Sequence, residues 1–209
     1  MISAIVLAAG KSTRMGRQKL LMPWGDTTVI GKVLQTLQNA GVEDIVIVTN
    51  AEVAGSISDP RFPLVLNNDG DMLASIQLGL GALLPPPSIQ DTSPKFDGGS
   101  VEFGGGREGA LVCLGDQPQV GEGSVRSVCE AFRKSKSNLV VPSYRMRRGH
   151  PWLAARARWG EILALREGQS MRGFLNAHAH EIEYVNVDTP GILQDLDTPE
   201  DYLKYKPSL

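Results

Sequence analysis

The reading of the fold turns on Ile2-Ser3-Ala4-Ile5-Val6-Leu7-Ala8-Ala9-Gly10-Lys11-Ser12-Thr13-Arg14-Met15-Gly16, with Lys19 just beyond. The apolar run through Ile5 to Leu7 reads as a first β-strand. The second half is small, glycine-bearing and basic. Small residues and Gly let backbone amides come close to a phosphate. Lys11, Arg14 and Lys19 would supply charge to neutralise a triphosphate. A strand feeding such a loop is the expected placement for nucleotide binding. On spacing alone, a polar surface loop that carries cations stands beside that reading.

Two well-known motifs fail here. Gly10-Lys11-Ser12 ends like a P-loop, but that motif needs Gly where the chain has Ile5. The dinucleotide fingerprint needs Gly where the chain has Ser12. Neither a kinase-type NTPase nor an NAD enzyme is indicated.

Outward from this loop, strand-like and helix-like runs alternate. Val29, Ile30, Val33, Leu34 and Leu37 recur at helical spacing, with Gly41 as a stop. Ile45-Val46-Ile47-Val48 is a β-branched run typical of a buried parallel strand. Strand Leu64 to Leu66, helix Met72 to Leu83 and strand Leu111 to Leu114 follow. Helix Val125 to Phe132 and strand Leu139 to Val141 continue the series. This rhythm predicts an α/β fold: three layers, α/β/α, around a mostly parallel sheet. Ligands in such folds bind at the carboxyl ends of the strands.

Residues 85 to 109 break the rhythm with Pro85-Pro86-Pro87, Gly98-Gly99 and Gly104-Gly105-Gly106. We read them as a flexible insert, with a hairpin through Val101-Glu102-Phe103 as one alternative, within a single domain over 1–209. The strand after the insert is needed by the sheet before it.

With 209 residues and a net charge of −2, the chain carries no basic block, which gives no support to nucleic acid as a partner. Cys113 and Cys129 sit in apolar patterns and read as buried free thiols. His150, His178 and His180 show no zinc spacing, and His178 and His180 are assigned to the surface. No apolar run approaches a membrane span, and the first residues lack the basic region of a signal peptide. The expectation is a cytoplasmic protein with no membrane contact.

The loops after the strands carry the remaining candidates. Gly115-Asp116-Gln117-Pro118 follows a strand, where a carboxylate can hold Mg²⁺ over a phosphate; a plain turn is the alternative. Near the end, Thr198, Pro199 and Asp201 read as a capped helix start. Asp195 and Asp197 precede that cap and are not needed by it. Asn68 and Ser75 flank a turn into a helix, where they would reach a base, or form an ordinary Asx-rich turn. Arg145-Met146-Arg147-Arg148-Gly149-His150-Pro151 is the densest basic stretch and suits an anionic acceptor. A solvated hairpin tip explains it equally well.

The segment Leu7-Ala8-Ala9-Gly10-x-Ser12-x-Arg14-Met15-Gly16-x-x-Lys19 resembles the signature of nucleotidyltransferases with the Rossmann-like, glycosyltransferase-A-like fold. Within these it is similar to the molybdenum-cofactor nucleotidyltransferases, and the similarity runs from Leu7 to Leu203. The resemblance implies that Leu7, Ala8, Ala9, Gly10, Ser12, Asn68 and Ser75 form the nucleotide pocket. It implies that Arg14 and Lys19 bind the triphosphate, with Asp116 as the third catalytic group. It places Mg²⁺ on Asp116, then Asp197, then Asp195. Arg148, His150 and Arg172 fall on the acceptor side. The start Leu-Ala-Ala-Gly matches the cytidylyl-transferring branch, whereas the guanylyl-transferring branch carries Leu-Ala-Gly-Gly. The expected activity is transfer of CMP from CTP to the phosphate of molybdopterin. Rival readings are a GTP-using or sugar-phosphate nucleotidyltransferase, and a non-catalytic nucleotide-binding maturation partner of molybdenum enzymes. The departures are the insert and Gln117, which stands where Met is common.

Overall fold

Along β1 (Ile2–Ala8) the side chains alternate between two cores. Ala4, Val6 and Ala8 face one, and Ile5 with Leu7 faces the other. That period of two is what a strand buried on both faces requires. The computed structural model describes residues 1–69, 71–85 and 106–207.

After β1 come the small hairpin β2 (Pro23–Trp24) and β3 (Thr27–Thr28), then α1 (Val29–Asn39) and β4 (Ile45–Thr49). The short α2 (Ala51–Ala54), β5 (Leu64–Leu66), α3 (Met72–Leu83) and β6 (Gly109–Leu114) follow. Next are α4 (Glu122–Ser135), β7 (Leu139–Tyr144), β8 (Arg147–Arg148) and β9 (Trp152–Ala155). The chain closes with α5 (Arg156–Leu163), α6 (Met171–Ala177), β10 (Ile182–Asn186) and α7 (Pro199–Tyr205).

The main sheet runs β10-β7-β9-β6-β1-β4-β5, with β8 paired to β7. Its β1–β4, β1–β6, β4–β5 and β7–β10 ladders are parallel. Strand β9 runs antiparallel to both β6 and β7. One core takes residues of α1, α4 and α7, the other those of α3, α5 and α6. The three-layer, mostly parallel fold expected from the sequence is what forms. Among the described residues no helix is long and apolar enough to cross a membrane.

The register decides where the loops meet. Ala8 lies opposite Thr49, and Leu7 opposite Leu114. The carboxyl ends of β1, β4 and β6 therefore lie side by side, and their loops leave from one edge. Helix α3 presses on β1 at Gly79, where a Cβ would stand 2.4 Å from Ile5 Cγ2.

Three details depart from the sequence reading. Strands β9 and β10 do not stand out in the sequence, and β9 enters the sheet between β6 and β7. The insert ends earlier than residue 109, because Gly109 already opens β6. Before it, Arg107 is gripped by Asp44 at 2.7 and 3.2 Å and donates to the Leu83 carbonyl at 3.0 Å. His178 is not a bare surface residue: it stacks on Phe174 at 4.4 Å and its Nε2 lies 3.0 Å from Glu161. The hairpin proposed around 101–103 lies outside the described residues. Cys113 and Cys129 are free and buried, and burial raises both thiols, Cys129 to about 11.

Candidate active site

The first loop is held from below by the end of β4. Thr49 Oγ1 donates to the Ala8 carbonyl at 3.3 Å. Asn50 Nδ2 donates to the carbonyls of Ala9 at 3.4 Å and Gly10 at 3.3 Å, while its Oδ1 caps α2 at Val53. In a trans peptide the N–H opposes the C=O, so the amides of Gly10 and Lys11 turn away from Asn50. Ser12 adopts a left-handed backbone, φ 49°, a conformation that strains a non-glycine residue and gathers at functional sites. Its hydroxyl donates to Gln18 Oε1 at 2.8 Å and accepts the Lys19 N–H at 3.1 Å. Lys19 is thereby tied to the phosphate-type loop.

Opposite stands the loop after β6. The Gly115 N–H donates to the Leu7 carbonyl at 2.9 Å. A Cβ at Gly115 would sit a tight 3.0 Å from that oxygen, so glycine lets the next residue, Asp116, lie close to β1 without displacing it. The Asp116 carbonyl accepts the Leu196 N–H at 3.1 Å, which draws in the strand of chain carrying Asp195 and Asp197. Thr198 and Asp201 close a capping box right after it, so the helix start fixes where Asp197 can stand.

These ties bring three side chains to one point. Lys19 Nζ lies 2.5 Å from Asp116 Oδ2 and 3.2 Å from Asp197 Oδ1. The Lys19 side chain is 12% exposed and Asp116 20%, against 51% for Asp197. Burial pulls the Lys19 ammonium down, but the Asp116 charge and the bonds to both carboxylates outweigh it and hold it above its ordinary value. Burial raises the Asp195 carboxyl, and the neighbouring Asp116 charge raises it further. Gln117 Nε2 donates to Asp195 Oδ1 at 2.6 Å, which gives the unusual residue at 117 a visible task.

Leu7, Ala8, Ala9, Gly10, Ser12, Lys19, Ser75, Asp116, Asp195 and Asp197 line one cleft of about 320 Å³. Leu20, Met72 and Leu114 complete its wall, and none of these stands out in the sequence as a site residue. Arg14 is exposed on a 3-10 turn and does not line the cleft. Asn68 is exposed and also off the lining. Its neighbour Asn67 is the buried one, donating to Ser75 Oγ at 2.8 Å.

The acceptor-side candidates stay apart from the cleft lining. Arg148 donates to Tyr184 Oη at 2.8 Å and Asn176 Oδ1 at 2.7 Å, with its guanidinium over the Tyr184 ring. Arg172 is exposed on α6. Burial lowers the His150 imidazole to about 4, so it is neutral at pH 7 and offers an anion no charge. Its backbone N–H donates to the Ile192 carbonyl at 3.0 Å, which couples this loop to the Asp195 segment.

A family model described as the MobA-like NTP transferase domain matches residues 4–182. The chain belongs to this family. The MobA-like chain is 33% identical over 57 residues to a molybdenum cofactor guanylyltransferase of Xanthomonas euvesicatoria pv. vesicatoria (strain 85-10), a match over 27% of this chain. That match spans only 30% of the relative's length. Among solved structures, Rv0371c from Mycobacterium tuberculosis H37Rv covers 100% of both chains at a TM-score of 0.80 and 24% identity. Its complex with manganese gives 0.74 and 25% identity over 100% of this chain and 99% of that one. A nucleotidyl transferase from Methanothermobacter thermautotroptrophicus gives 0.74 and 24% identity over 99% and 96%. The fold of the MobA-like domain is thus that of the glycosyltransferase-A-like nucleotidyltransferases.

Proposed function

We propose that the protein transfers CMP from CTP to the terminal phosphate of molybdopterin and releases pyrophosphate. The observation that carries nucleotidyl transfer is the convergence of Lys19 on Asp116 and Asp197 inside a cleft walled by the small-residue loop. Two carboxylates that share one ammonium also fit a divalent cation, since both already reach a single positive centre. Among the described residues no three Cys, His, Asp or Glu converge to hold an ion by themselves. That donor set suits Mg²⁺, which takes one or two carboxylates and completes its shell with phosphate oxygens and water. Rv0371c, solved with manganese, supports the metal reading.

Asp116 and Asp197 would hold the ion, with Asp195 behind them. When bound, Mg²⁺ supplies positive charge to the triphosphate as negative charge passes to the leaving pyrophosphate. Lys19 adds charge to the same anion. An acceptor phosphate oxygen bonds to the α-phosphorus, and the bond from that phosphorus to the bridging oxygen of the β-phosphate breaks. The attacking phosphate is ionised near pH 7, so the protein needs no general base. Positioning and charge neutralisation suffice.

Ala9 supports the choice of CTP. It lines the cleft at the position where the guanylyl-transferring branch carries glycine. The guanylyltransferase relative favours the second reading, GTP. Pyrophosphate release with Mg²⁺, molybdopterin and each NTP in turn separates them. Release with CTP is the expected result. Release with GTP alone overturns the base assignment, and release with no NTP, despite normal nucleotide binding, favours the maturation-partner reading.

A further inference from the structure

Lys19 is bound where a metal would be bound. Its ammonium touches both carboxylates assigned to the ion, at 2.5 and 3.2 Å. With the side chain only 12% exposed, it is a largely buried cation held by its partners. If it left with nothing in exchange, Asp116 and Asp197 would face each other uncompensated, with Asp195 nearby. A bare divalent ion therefore has to displace Lys19 and leave that ammonium without an anion. A triphosphate changes both sides of this exchange. It offers Lys19 new oxygens, and it offers the metal the ligands that two carboxylates cannot supply. Lys19 is anchored for such a handover, because its backbone N–H is fixed to Ser12 Oγ beside Gly10 in the loop.

We infer that Lys19 is the resident counter-ion of the metal site and makes metal and triphosphate enter together. Lys19 excludes the bare ion and yields to the ion that arrives with polyphosphate. This rests on the reading that Asp116 and Asp197 hold the metal. Because coupling between two ligands is reciprocal, triphosphate and metal each raise the other's affinity, and Lys19 adds to the coupling that direct metal–phosphate contact already gives.

The test is Mn²⁺ binding to the full chain, read by equilibrium dialysis as the excess Mn²⁺ on the protein side, with and without inorganic triphosphate on both sides. The wild type binds Mn²⁺ weakly alone, and triphosphate tightens it by on the order of 10-fold. Lys19→Met binds bare Mn²⁺ tighter, on the order of 10-fold, and triphosphate then tightens it by less than in the wild type. Lys19→Gln shows the same sign if the methionine variant does not fold. Lys19→Arg, which keeps the charge, retains the weak bare-metal binding. Unchanged or weaker bare Mn²⁺ binding in the neutral variants overturns the inference. Asp116→Asn separates it from the metal reading beneath it. If Asp116→Asn leaves Mn²⁺ binding intact, the metal assignment is wrong. If it loses Mn²⁺ while the neutral Lys19 variants gain nothing, the counter-ion role alone falls.

Discussion

Two side chains on the same edge of the sheet show how burial and charge set different tasks. Asp116 is kept at the cleft by Gly115 and stays open enough to meet an ion, 20% exposed. Asp116→Asn removes the charge and keeps the shape. We expect turnover to fall by at least ~10²-fold, the scale of losing one preorganised charge-stabilising group. The melting temperature should move by only a few degrees, and an active Asp116→Asn enzyme would contradict the role given to it. His150 behaves oppositely. Desolvation lowers it from 6.5 to about 4, so the folded chain holds it neutral while the unfolded chain protonates it near 6.5. The unfolded state then binds more protons between those values, and stability drops as pH falls from about 6.5 toward 4. The loss has an upper bound of about 3 kcal/mol, because each pH unit between the two values is worth about 1.36 kcal/mol. In His150→Gln that part of the acid slope should disappear in urea titrations at pH 6.5, 5.5 and 4.5. An unchanged slope would mean that the imidazole is not desolvated in solution.

At the scale of elements, the contact between α3 and β1 positions Ser75 and Met72 at the cleft. Gly79 makes the contact possible, with Ile5 Cγ2 2.4 Å from where a Cβ would stand. Helix propensity favours Gly79→Ala by ~1 kcal/mol. Overpacking opposes it by roughly 1–3 kcal/mol. We expect the packing cost to win, so that the substitution lowers the denaturant midpoint. Ile5→Val in the same chain should recover part of the loss, a coupling that neighbours show and distant sites do not. If alanine at 79 stabilises, α3 lies farther from β1 than described. Such contacts mark the limit of what sequence reveals. The helix faces and buried strands follow from periodicity, as Val29 to Leu37 and Ile45 to Val48 show. Local chemistry also reads well, down to the Thr198–Asp201 capping box. Strand β9 does not, because its four residues pass for a loop until two neighbours pair with it. In the site, Lys19, Asp116 and Asp197 are legible as a set because each follows a loop signal. Asn50 is not, since its hold on the Ala9 and Gly10 carbonyls arises only when β4 lies beside β1. Arg148 reads as a free cation because its partners, Tyr184 and Asn176, are 36 and 28 residues away.

Across the whole molecule, the two ends of the sheet carry separate duties. The carboxyl edge bears the cleft. The amino edge is tied by Asp44, which accepts from Arg107 and from Ser3 Oγ, and the hydrogen bond to Arg107 together with that to Ser3 keeps its carboxyl below the ordinary range despite burial. Arg107 Nη1 also reaches the Leu83 carbonyl, 24 positions back along the chain. The last turn of α3 and the residues that enter β6 therefore meet directly, and the connection between them closes a loop whose ends are already joined. Replacing residues 86–105 with a short Gly/Ser linker should leave the fold in place. Shortening a closed loop about threefold lowers its closure entropy cost by about 1 kcal/mol. For a chain of this size that corresponds to a rise of roughly 2–4 °C in melting temperature. Asp44→Ala in the shortened chain should reverse the gain, because the ends then lose the clamp that holds them together. A calorimetric scan of the two variants decides the matter. A fall in melting temperature on shortening alone would show that 86–105 contributes contacts to the fold, and that the Asp44–Arg107–Leu83 clamp is not what closes this side of the sheet.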